Sequence, residues 1–219
     1  MLWLSSHRQL GRNMLNNLIL DIGNVICDWN PDALIAGAFE HPADQQEALQ
    51  VTVGHPDWLA LDQGLLSMEE GIARAQARTG LDANGIASIY QGLGASLLAL
   101  PATMEAMHRA KEAGIPVYIL SNMPWHAWNY LAANHDCWEA CEGVVVSCES
   151  GCIKPDAAIY QHLCDRFSLT PESCVFVDDM EKNTAAAIAF GMQAEQLTDK
   201  YAGGEMVDRL VARILAARE

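Results

Sequence analysis

The chain has 219 residues, 51 % of them hydrophobic, and a formal charge of −15. That length and apolar content suit one core with at most a small insertion, and they exclude a disordered chain. The acidic balance argues against a nucleic-acid or anionic-membrane partner, and no apolar run reaches the ~20 residues of a membrane span.

Residues 1–13 hold one short apolar patch ahead of Ser5-Ser6-His7-Arg8. This is too short and polar for a signal peptide, so an unstructured extension is expected, with Met14 as an alternative start. A first strand is expected over 17–22, an apolar run that ends on Asp21 and enters a Gly23-Asn24 turn. A carboxylate at a buried strand end is costly unless paired. Asp21 is therefore a nucleophile, a metal ligand or a loop cap, and this segment alone leaves the three open.

From Pro31 to about Pro101 the pattern changes. Stretches 32–39, 43–53, 67–79 and 82–98 look helical, with Ser67 and Glu70 at capping-box spacing, and no strand is expected there. Some 70 residues of helix are too many for one crossover, so a small helical domain inserted after the first strand is expected. Strands are then expected over 116–120, 143–147, 174–178 and, more weakly, 192–197, with helices over 102–113, 155–167, 183–190 and 207–217. Such alternation predicts an α/β fold with a doubly wound parallel sheet.

Seven cysteines, an odd number, are scattered along the chain, which favours reduced thiols and a cytoplasmic setting. Cys137, Cys141, Cys148 and Cys152 have loosely zinc-like spacing. They form Cys-x3-Cys pairs around the core-like run 144–146, so zinc is the weaker reading.

Polar residues gather at the strand ends: Asp21 on the first, Ser121-Asn122 on the second, Lys154 following the third, and Asp178-Asp179 with Asn183 on the fourth. In open α/β sheets ligands bind at the carboxyl ends of the strands. Together this set suits phosphoryl transfer. A carboxylate nucleophile divides a hard hydrolysis into two steps. Asp21 and Asp178 are suitable oxygen ligands for Mg²⁺, and a hydroxyl and an ammonium group offset the phosphate charge.

In chain order, Asp21-x-Gly23-Asn24-Val25, Leu120-Ser121-Asn122, Lys154-Pro155-x-x-x-Ile159-Tyr160 and Val177-Asp178-Asp179-x-x-x-Asn183 resemble the four motifs of the haloacid dehalogenase superfamily, from Leu15 onward. The nearest likeness is to bacterial phosphatases of the α-D-glucose-1-phosphate type. The resemblance implies a Rossmann-like core over 14–31 and 102–219 with a helical cap over 32–101. It implies a Mg²⁺-dependent phosphoric monoester hydrolase acting on a small phosphorylated metabolite, a sugar phosphate first. By motif, Asp21 matches the nucleophile, Ser121 and Asn122 the phosphate binders, and Lys154 the cation. Asp21, Asp178 and the Gly23 carbonyl match the metal ligands, Asp179 supports the metal shell, and Asn183 falls where many members carry another acid.

Gly23 is the departure. Most phosphatases of the superfamily carry a second Asp there for proton transfer, worth ~10²–10⁴-fold. Asp28, on the turn after the strand, is the candidate substitute. Two rivals follow: a 2-haloacid dehalogenase, which attacks carbon and leaves Asp178-Asp179 unexplained, and a phosphate-binding protein without turnover, which rests on Gly23 alone.

Overall fold

The computed structural model describes residues 15–218, so the extension expected over 1–13 and the start at Met14 lie outside the described residues. In chain order the elements are β1 (Asn17–Leu20), β2 (Cys27–Asp28), α1 (Pro31–Ala36), α2 (Pro42–Val51), α3 (Pro56–Asp62), α4 (Met68–Gln76), α5 (Ala83–Ser96) and β3 (Leu98–Ala99). They continue with α6 (Pro101–Glu112), β4 (Val117–Ser121), α7 (Trp125–Asn134), β5 (Gly143–Val146), α8 (Ser147–Ser150), α9 (Ala157–Phe167), β6 (Cys174–Asp178), α10 (Glu181–Phe190), β7 (Gln193–Gln196) and α11 (Gly203–Ala216).

The main sheet has the order β5-β4-β1-β6-β7, and every pairing in it is parallel. Side chains alternate across a strand. Leu18 and Leu20 enter one apolar cluster with Val117, Ile119, Met107 and Ile214, whereas Ile19 enters another with Leu120, Phe176, Ile159 and Leu163. Both faces are thus covered, which is why these strands read as continuous apolar runs. The chain leaves β1 for β4 and β5 on one side and returns through β6 and β7 on the other. The crevice at that reversal lies over the end of β1, where Asp21 follows.

Helices α1–α5 form one insertion between β2 and β3, which pair antiparallel and close its base. The capping box stands: Ser67 Oγ accepts from Glu70 N–H, and the Glu70 carboxylate accepts from Ser67 N–H. The strand Cys27–Asp28 and the helix Trp125–Asn134 lie where no element was expected, and within the insertion two further features differ. Leu98–Ala99 is a strand where none was expected, because a two-residue strand has no alternation to read. The helix expected to run to 98 accordingly ends at Ser96. Between the expected helices lies a further one, α3, begun by Pro56 with Asp57 in its first turn. Seven residues are too few to show helical periodicity.

That short helix fixes the insertion to the core. Ser147 Oγ donates to the Asp62 carbonyl at 2.5 Å and accepts from Met123 N–H at 2.8 Å. Gln63 donates to the Gly151 carbonyl at 2.9 Å. The chain then turns at Gly64, in the left-handed region at φ +73°, where a Cβ would stand 2.6 Å from the Cys148 carbonyl oxygen. Only glycine permits this approach.

Candidate active site

Asp21 follows the central strand, and its amide donates to the Val177 carbonyl at 2.9 Å, which ties it to β6. Ser121 ends β4 and Asp178 ends β6, so the two flanking strands bring a hydroxyl and a carboxylate to its sides. Lys154 is buried between the carboxylates. Its Nζ lies 2.8 Å from Asp21 Oδ1 and 2.6 Å from Asp178 Oδ2, and it donates to the Leu120 carbonyl at 3.1 Å. Asp21 Oδ1 is buried and is paired with that ammonium.

The two adjacent carboxylates on β6 differ in their surroundings. Asp178 is fully buried. It accepts from Met180 N–H at 2.8 Å, from the Asn183 amide at 3.0 Å on each oxygen, and from Lys154. Its lone pairs are largely occupied, and it does not line the cavity. Asp179 lines the cavity beside Asp21 and accepts at Oδ2 from the Asn24 amide at 2.9 Å.

Asn24 is the residue that the sequence hid. It sits in the left-handed region at φ 55°, which Asn tolerates. It reads as an ordinary turn residue, yet it also accepts from Trp29 N–H at 3.0 Å and so joins the turn to Asp179.

Among the described residues, the acidic or thiol-bearing group that is close enough to hold a metal is Asp21, Asp178 and Asp179, with one oxygen of each within 4.8 Å of the others. Three carboxylates against one ammonium leave a formal charge of −2, which a divalent cation neutralises. All are hard oxygen donors, and Gly23 belongs to the same cavity wall. The cysteines do not gather in this way. All seven are free, and burial pushes the thiols of Cys137, Cys141 and Cys148 up to about 12.

Asn122 lines the cavity and is also tied to the Lys154 backbone. Its side-chain amide donates to the Lys154 carbonyl at 3.0 Å and accepts from Lys154 N–H at 2.8 Å. It clamps the loop that carries the ammonium group. Asn183 holds Asp178, and its Oδ1 is buried without a partner. Asp28 is not brought to the cavity: it lies on β2 and pairs with Lys200.

Burial pushes the Asp21 carboxyl up to about 7, with Lys154 opposing the rise and Asp178 adding to it. Burial also works against the Lys154 charge, but the two carboxylates outweigh it and hold its pKa above the ordinary lysine value. Asp62, at the end of α3, is buried in the wall of the same cavity, and burial with Asp21 nearby pushes it up to about 8. Groups raised in this way hold protons that the unfolded chain releases near 3.8. Their stabilisation is present at low pH and is lost as pH rises toward 8. Without divalent metal, the melting temperature is therefore expected to fall between about pH 5 and 8, by at least the ~2–4 °C that one kcal/mol gives at this size. Added Mg²⁺ is expected to restore it most at the alkaline end. A melting curve that is flat with pH in chelator would contradict this.

A profile of the haloacid dehalogenase-like hydrolase family matches residues 16–191. The sesquiterpene phosphatase AstK of Aspergillus oryzae is 26 % identical over 187 residues, covering 84 % of this chain and 90 % of that protein. A haloacid dehalogenase family enzyme of Bacteroides thetaiotaomicron, solved with magnesium and inorganic phosphate, superposes with a TM-score of 0.67 at 19 % identity, over 84 % of this chain and 95 % of its own. The L-2-haloacid dehalogenase of Xanthobacter autotrophicus has a TM-score of 0.62 at 18 % identity, over 93 % and 88 %. No helix among the described residues is long and apolar enough to cross a membrane. The family profile spans most of the chain and includes all four motif segments, and the chain belongs to the haloacid dehalogenase-like hydrolases.

Proposed function

We propose that this chain is a Mg²⁺-dependent phosphoric monoester hydrolase that works through an aspartyl-phosphate on Asp21. The observation that carries the reading is the Asp21 carboxylate at the sheet's switch point, with a buried ammonium and a second metal-competent carboxylate beside it. Asp21 attacks phosphorus, the P–O bond to the alcohol breaks, and water then hydrolyses the acyl phosphate. Bound Mg²⁺ offsets charge between the anionic nucleophile and the anionic substrate. Asp21, Asp179 and the Gly23 carbonyl would hold it. Asp178, expected from sequence to be the second metal carboxylate, acts in this reading as the anchor of Lys154. Ser121, in the cavity wall, would bind the phosphate.

The cavity over Asp21 has a volume of about 380 Å³ and is walled by Trp29, Trp58, Leu59, Leu93, Leu97 and Met123. Such a wall favours a monophosphate whose alcohol has an apolar body over the sugar phosphate that the motifs suggest, since it offers few hydroxyl partners. The sesquiterpene phosphatase relative supports the same choice.

The test is phosphate release from a panel of alkyl, isoprenoid and sugar monophosphates, with Mg²⁺ or with EDTA. Release that needs Mg²⁺ and is faster with apolar alcohols is expected. Halide release from a 2-haloacid in EDTA, without any phosphatase rate, would overturn the reading in favour of carbon attack. Tight phosphate binding without turnover would overturn it in favour of a binding protein.

A further inference from the structure

We infer that Asp62, at the end of α3, is the proton donor to the leaving alcohol and the base that then activates water. The inference rests on the phosphatase reading above. An alkoxide is a poor leaving group, so a group must supply a proton as the P–O bond breaks, and Gly23 has no side chain to do it. The cavity lining contains five titratable side chains: Asp21, Asp62, Lys154, Asp179 and Lys182. Asp21 is the nucleophile. Lys154 is committed to two carboxylates and a carbonyl. Asp179 stands in the metal group and takes the Asn24 amide. Lys182 is exposed on α10.

Asp62 differs from all of these. It enters the cavity from the inserted helices, it is buried, and its carboxyl makes no hydrogen bond or ion pair among the described residues. Its backbone, by contrast, is firmly held: Ser147 Oγ takes the Asp62 carbonyl, and Gln63 next to it reaches Gly151. A carboxyl that opens into the cavity from a fixed backbone, with no protein partner of its own, is placed to exchange a proton with a molecule bound there. Its raised pKa of about 8 means that it carries a proton at neutral pH.

The steps balance. An Asp21 oxygen forms a bond to phosphorus, the bond from phosphorus to the alcohol oxygen breaks, and that oxygen takes both electrons and the Asp62 proton. The Asp62 carboxylate then accepts a proton from water as the water oxygen bonds to phosphorus. The bond from phosphorus to Asp21 breaks, inorganic phosphate leaves, and Asp62 is again protonated.

The experiment compares Asp62→Asn with wild type on an alkyl monophosphate and on p-nitrophenyl phosphate, whose leaving group needs no proton. In Asp62→Asn, alkyl turnover is expected to fall ~10²–10⁴-fold. The pre-steady-state burst of nitrophenolate is expected to persist at near one per active site, followed by slow steady-state release of phosphate. Gly23→Asp provides the second variant. A Cβ at Gly23 meets only the Trp29 Cβ, at 3.7 Å, so the added carboxyl has room and is expected to recover part of the alkyl rate in Asp62→Asn. Loss of the nitrophenolate burst along with the alkyl turnover, or no loss on either substrate, would overturn the assignment while wild-type activity left the phosphatase reading intact. A rise in KM alone would likewise overturn it and make Asp62 a substrate-binding group.

Discussion

Asp21→Asn is expected to remove turnover almost completely, by roughly 10⁴–10⁶-fold, the scale on which loss of a nucleophile or its partner acts in a concerted site. The amide has nearly the same shape, so packing is kept. It lacks the negative charge that attacks phosphorus, and its oxygen is a weaker metal ligand. Burial holds the wild-type carboxyl near 7 with Lys154 opposing, so replacing it with a neutral amide costs the fold little. The variant is therefore expected to melt close to wild type while its phosphate release falls to background. A stable variant with a substantial rate would remove Asp21 from the nucleophile's place.

Lys154→Met is expected to have the largest effect on stability. The ammonium is 3 % exposed and lies between two buried carboxylates. Methionine is of similar length and keeps most of the packing but strands both anions. Breaking a buried pair from one side costs about 3–5 kcal/mol, which in a chain of this size lowers the melting temperature by roughly 10 °C. The penalty arises from uncompensated negative charge, so it should shrink at about pH 5, where the Asp21 carboxyl, already raised by burial, takes up a proton. Bound Mg²⁺ should recover only part of it, since Asp178 is turned toward Lys154 and away from the cavity. A variant as stable as wild type at pH 8 would mean that the ammonium does not hold the two strand ends together.

The doubly wound sheet was legible because both faces of its strands are buried. Leu18-Ile19-Leu20 and Val175-Phe176-Val177 each feed both apolar clusters in alternation, which leaves no polar position to interrupt the run. The strand-end chemistry was legible because charges at such places are rare. Three things were not. The roles of Asp178 and Asp179 depend on which carboxyl faces inward, a matter of register that adjacent identical residues conceal. Asn122 reads as a phosphate binder, and only the loop of Lys154 folding back onto it shows where its amide is used. For Asp62 a substrate-facing place in the cap, with His55 and Trp58, is open from sequence, but its role is not, because its position in the cavity arises from contacts of its helix end with Ser147 and Gly151, some 85–90 residues further on.

The measurement that bears most directly on the account is a rapid acid quench of the Mg²⁺-loaded enzyme during turnover of a phosphomonoester, followed by mass analysis of its peptides. A phosphoryl group is expected on the peptide containing Asp21. It should be absent in EDTA, absent in Asp21→Asn, and released by hydroxylamine as acyl phosphates are. Steady turnover with that peptide unmodified, or with the phosphoryl group on another residue, would contradict it.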